Sequence, residues 1–173
     1  MRLIPPLFFY LALFGVSTAS PVGANCRLVV TQDAPYLESL DLGANGKTRG
    51  DILFGEAVIR IGGRPAGQLD LMLTTVDVPN PLSAGRELFE DRFGTLIFRF
   101  SDQDTLVVSG STILPAGERL IQADIPQIRA VTGGTGRFKF VRGEAVTTRR
   151  QDLSYEHAFE LDGKPSVCRF KGL

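Results

Sequence analysis

A chain of 173 residues, 43% of them hydrophobic, is long enough for one domain with a core of its own. Its 19 basic side chains balance its 19 acidic ones, which leaves no electrostatic footprint for nucleic acid or for an anionic membrane surface. A single histidine and two distant cysteines give no cluster with metal-ligand spacing, so no metal is expected.

At the N-terminus, residues 3–16 carry no charge after Arg2 and lead into Ser17-Thr-Ala-Ser-Pro-Val-Gly-Ala24. That is the layout of a secretory signal peptide, with Val22 and Ala24 as the small residues ahead of the cleavage point. The run is shorter than the roughly 20 apolar residues of a membrane span. Residues 1–24 are therefore read as a signal peptide and 25–173 as one domain, with no membrane attachment after cleavage. The expected location is extracellular, or periplasmic in a Gram-negative host. A lipoprotein reading of Cys26 wants a small residue just before it, where Asn25 stands. In an oxidising compartment Cys26 and Cys168 are expected to pair and tie the two ends together; the alternative is two free thiols in a protein that stays reduced.

Beyond residue 24, apolar runs alternate with Gly, Pro, Asn and Asp punctuation, and there is no amphipathic helix pattern. Strands are predicted over 27–32, 51–61, 68–76, 92–100, 105–114, 120–131 (broken by Pro126), 138–148 and 153–161. The link at 62–67 reads as a hairpin connection, and 34–47 and 78–90 read as long loops. Leu69, Leu71 and Leu73 share one face of their strand, as do Leu96, Phe98 and Phe100, and Leu153, Tyr155, His157, Phe159 and Leu161. About eight short-linked strands with one apolar face each predict an all-β fold, a closed antiparallel barrel or a sandwich.

The segment Ala130-Val-Thr-Gly-Gly-Thr-Gly-Arg-Phe-Lys-Phe-Val-Arg-Gly-Glu-Ala-Val-Thr-Thr148 carries the most information. Its first half spells a dinucleotide-type phosphate turn, but that turn needs a helix next, and alternating aromatic and β-branched residues follow instead. Counting alternation from Phe138 and Phe140 places Arg142 and Glu144 on the same apolar face. Such polar groups in a lumen either satisfy one another or meet a ligand. One reading is an internal Arg142–Glu144 ion pair with the Tyr155 hydroxyl bonded to backbone. The other makes Glu144 or His157 a proton donor and Arg142 the anchor of a phenolate, carboxylate or epoxide oxygen, with Phe140, Tyr155 and His157 lining the site.

The same segment resembles the Val-Gly-Gly-Thr-Gly and Phe-Arg-Phe-Ala-Arg-Gly-Tyr-Ala signature of plant dirigent proteins, and its glycine turn resembles that of allene oxide cyclases. Arg49-Gly50-Asp51-Ile52-Leu53-Phe54 is similar to the opening of the cyclases, and Gly110-Ser111-Thr112 to a dirigent strand. The resemblance implies a single closed antiparallel eight-stranded β-barrel and a homotrimer. It also implies a small hydrophobic or phenolic ligand whose stereoselective cyclisation or coupling is guided without a cofactor, with a separate oxidase as partner if the chain is dirigent-like. Residue by residue, Arg142 matches a dirigent arginine, Glu144 replaces a tyrosine, and Asp33 stands as the counterpart of a pocket aspartate. Glu56 stands near the place of a cyclase asparagine. The alternatives are a non-catalytic carrier of a small ligand and an extracellular structural or interaction protein with a packed barrel.

Overall fold

The computed structural model describes residues 25–78, 89–163 and 165–170; the segment read as a signal peptide and most of the expected 78–90 loop lie outside them. Among the described residues nine strands form one antiparallel sheet: β1 (Asn25–Gln32), β2 (Tyr36–Leu40), β3 (Ile52–Ile61), β4 (Arg64–Asp77), β5 (Phe89–Arg99), β6 (Thr105–Pro115), β7 (Gln127–Gly134), β8 (Arg142–Arg149) and β9 (Tyr155–Asp162). The sheet closes because β1 has two partners. All of β1 pairs with β9, from Asn25 opposite Asp162 to Gln32 opposite Tyr155, while Thr31 and Gln32 also pair with Arg60 and Ile59 of β3. Eight strands thus form the expected barrel, and no open edge is left along the closure. The extra strand β2 continues along β3 from Glu56 to Ile52, so the predicted 34–47 loop holds a strand.

Local chemistry fixes most strand ends. Gly62 and Gly63 both have positive φ, 58° and 80°, which suits the two-residue hairpin turn between β3 and β4 and makes it shorter than the predicted 62–67 link. The predicted 120–131 strand begins only at Gln127, where β7 starts, after an irregular segment, residues 116–126. The predicted 138–148 strand begins only at Arg142, because a 3-10 turn at Gly136–Phe138 and a left-handed Phe140 (φ 70°) interrupt it. Packing explains the glycine turn: a Cβ on Gly134 would stand 2.7 Å from Phe138 Cβ, and one on Gly136 would stand 2.7 Å from the Gln103 carbonyl oxygen.

The lumen has two unlike halves. Toward the end where β1 begins, Val30, Ile59, Leu69, Phe98, Leu106, Phe138, Phe159 and Leu161 are fully buried and fill it, with Phe98 edge-on to Phe159 at 5.0 Å. This end is sealed by Phe100, Phe138 and Phe170, by Val167 on a 3-10 turn (Pro165–Cys168), and by the Cys26–Cys168 disulfide, whose Cα atoms are 6.0 Å apart. The other half buries polar side chains instead: Gln32, Thr75, Glu90, Arg92, Thr112, Arg129, Thr147 and His157.

Candidate functional site

Strand alternation brings these polar side chains inward from seven strands, Thr75 among them from β4 and Glu90 from β5. Gln32 comes from β1, Arg92 from β5, Thr112 from β6, Arg129 from β7, Thr147 from β8, and Tyr155 and His157 from β9. Most of them surround a cavity of about 50 Å³ walled otherwise by Leu53, Leu71, Leu73, Leu96, Leu114, Leu120 and Ile121. Segment 116–126 lies across its mouth as a cap. Ile121 packs with Leu114 and Tyr155, and its carbonyl accepts from Arg149 Nε at 2.6 Å. Lys47 Nζ fastens the other side of the cap, donating to the Glu118 carbonyl at 3.2 Å and to Glu90 Oε2 at 2.9 Å. Beyond Arg119 and Leu120, which line both spaces, an outer cleft of about 420 Å³ opens.

His157 is enclosed and both of its ring nitrogens are engaged. Nε2 donates to Gln32 Oε1 at 2.9 Å, and Nδ1 accepts from the Thr147 hydroxyl at 3.0 Å. Burial, reinforced by the nearby Arg129 charge, pushes its pKa down to about 3, so the ring is uncharged at neutral pH. Tyr155 stacks beside it with centroids 6.3 Å apart, and burial raises its phenol to about 12, which keeps the hydroxyl protonated and able to donate. Arg129 is lowered by burial to about 10 and remains a cation. Its Nη2 donates to Thr112 Oγ1 at 2.7 Å and to Gln127 Oε1 at 3.0 Å. The site thus presents donors, one buried positive charge and an apolar wall, and His157, Tyr155 and Arg129 do not titrate near neutrality.

No protein-family model matches the chain, and no curated protein matches it by sequence. Solved structures do. A pyocyanin demethylase aligns with TM-score 0.58 and 18% identity over 80% of this chain and 99% of its own. A nonspecific heme-binding cyclase of neoabyssomicin biosynthesis gives TM-score 0.58 and 13% identity over 86% and 68%. A pterocarpan synthase dirigent protein gives 0.53 and 14% over 88% and 96%. The fold is that of the dirigent and cyclase barrels. At these identities the likeness concerns the backbone alone.

Within this barrel, Tyr155 and His157 are the two sequence-predicted site residues that line the cavity. Arg142 and Glu144 are on the outside, which corrects the parity expectation. Counting from Phe138 and Phe140 crossed the turn that resets the alternation, so Ala145 and Thr147 face inward instead. Arg142 Nη1 donates to the Val141 carbonyl at 2.8 Å, and Phe140 is 82% exposed. Asp33 is held outside the lumen by Arg60, with two hydrogen bonds of 2.9 and 2.8 Å, and that bonded guanidinium keeps its carboxyl below the usual range. Glu56 is exposed and accepts from Gln68 at 3.2 Å. These five side chains do not converge on the cavity. Arg129, Thr112, Thr147 and Gln32 went unnoticed in the sequence, although Arg129 shares the parity of the apolar Val131. Arg92 likewise shares that of Leu96 and Phe98.

Proposed function

We propose that the chain binds a small apolar or phenolic molecule in the polar half of its barrel and guides that molecule's cyclisation or coupling by confinement. The observation that carries this reading is the ring of buried donors set in an apolar wall around a capped cavity. Inner cavity and outer cleft together fall in the roughly 300–1,000 Å³ range of small-molecule sites once the cap shifts. Holding a flexible molecule in one reactive conformer is by itself a large rate effect, and it requires no group that titrates at neutral pH. The Tyr155 phenol is the hydrogen-bond donor to a reacting oxygen in this account.

A second reading, a carrier that performs no chemistry, is favoured by one observation: His157 is neutral with both nitrogens engaged, so it offers no ready acid or base. Secretion, with residues 1–24 as the signal, belongs to the same proposal, and the disulfide is in keeping with an oxidising compartment. So does the homotrimer implied by the resemblance, with exposed Phe54, Met72 and Phe93 on neighbouring strands as the surface that a second copy would cover. A separate oxidase is required only if the reaction is a radical coupling.

Native mass spectrometry of the non-reduced protein from its own host, followed by denaturing release, tests the proposal. It expects one small apolar compound per chain and conversion of that compound, lost when Leu73→Trp fills the cavity. A compound carried but never converted leaves the carrier reading. A chain that holds nothing and takes up nothing rejects both.

A further inference from the structure

Among the described residues two arginines are buried in the lumen, and they differ in what faces them. Arg92 donates to Glu90 at 2.9 and 2.5 Å, so its charge is compensated inside the barrel. Arg129 is 5% exposed and has only uncharged partners, Thr112 and Gln127. Its Nη1 is buried with no hydrogen-bond partner at all. Among the described residues no Asp or Glu forms an ion pair with it, and the side chains around the cavity include no carboxylate. A second arginine, Arg119, lines the same cavity from the exposed side of the cap.

An unpaired cation in a low-dielectric site is costly, and neutral groups could serve Thr112 and Gln127 as well. A buried guanidinium with an unused N–H pair is instead suited to an oxyanion, to which its bonds would be charge-assisted. Tyr155 adds a donor that stays protonated, and neutral His157 adds no competing charge. The space matches this order of contacts. The inner cavity of about 50 Å³ has room for a head group, and the outer cleft of about 420 Å³ beyond Leu120 has room for an apolar body.

We propose that the lumen's ligand is an organic monoanion, an apolar or aromatic carboxylate whose charged head lies on Arg129 Nη1 and whose body passes under the cap between Leu114 and Leu120. This rests on the reading of the lumen as a small-molecule site and names the substrate class. Arg119 at the mouth draws the anion in, and Arg129 holds it.

Calorimetric titration of the intact, disulfide-bonded protein with 3-phenylpropanoate and with its neutral amide tests the assignment. The acid is expected to bind at least about tenfold tighter than the amide, which corresponds to about 1.4 kcal/mol. Arg129→Gln should abolish that preference, so that acid and amide bind with equal affinity. Arg129→Lys, which keeps the charge without the fork, should retain part of it. Equal binding of acid and amide to the unaltered protein, or a preference that persists in Arg129→Gln, overturns the anion assignment and leaves the lumen as a neutral-ligand site. Failure of both compounds to bind overturns the assignment together with the small-molecule reading.

Discussion

His157 sits at the junction of the two halves of the lumen, edge-on to Phe98 at 4.8 Å and hydrogen-bonded to Gln32 and Thr147. Its folded pKa, about 3, lies below its ordinary value of 6.5. Between those values the unfolded chain binds a proton that the folded chain does not, so the stability due to a neutral His157 is complete above about pH 6.5 and declines as the pH falls toward 3. The expected slope in that window is up to about 1.4 kcal/mol per pH unit. Urea unfolding of the protein and of His157→Asn at stepped pH should show this slope only in the former. Asp33, Asp51, Asp104 and Asp152, whose carboxyls are held below their usual value of 3.8 by hydrogen bonds, contribute above that value and lose their contribution below it, so they do not add to the His157 slope above about pH 4.5. Equal slopes in both proteins between pH 4.5 and 6.5 would show that His157 is not held neutral. Tyr155 and His157 were readable in the sequence because alternation from Tyr155 to Leu161 is unbroken, and each odd position faces inward.

At the scale of elements, the segment from Ala130 to Thr148 shows where alternation fails. The sequence pattern runs on through Phe138 and Phe140, but the turn at Gly136–Phe138 gives those two residues opposite fates, one fully buried and the other 82% exposed. Phe138→Ala should therefore cost about 3–5 kcal/mol, through lost burial and the cavity left behind, whereas Phe140→Ala should stay within about 0.5 kcal/mol. Thermal or urea unfolding of the two variants checks this; similar losses would restore the original parity and return Arg142 to the lumen. Arg129 was hidden for a related reason. Pro126 interrupts the alternation over 120–131, so the parity that Arg129 shares with Val131 carried little weight in the sequence, whereas in β7 it is the buried parity. The cap was illegible for a different reason, since Lys47, Glu90, Glu118 and Arg149 fasten it through contacts far apart in the chain.

For the whole molecule, the barrel closes where its first and last strands meet, and the disulfide sits at that seam, 142 residues apart in sequence. In the chain-entropy account a loop of that length is worth on the order of 4–5 kcal/mol, with denatured-state structure reducing it. Cys26→Ser and reduction of the native protein should lower stability by a similar amount, and unfolding with and without reductant measures both. Eight strands with short links and one apolar face each were enough to anticipate a barrel or a sandwich, and the resemblance carried by the glycine turn pointed to the closed barrel, which buries those faces without exposing edges. The division of the lumen into a solid half and a capped polar half was not legible, since it depends on strand register around the closed sheet. That division is the central claim, and methyl NMR of the labelled, disulfide-bonded protein titrated with 3-phenylpropanoate tests it most directly. The methyls of Leu73, Leu96, Leu114, Leu120 and Ile121 should shift together, while those of Val30, Leu69, Leu106 and Leu161 in the filled half stay fixed. Shifts confined to the outer surface, or spread evenly through both halves, would contradict it.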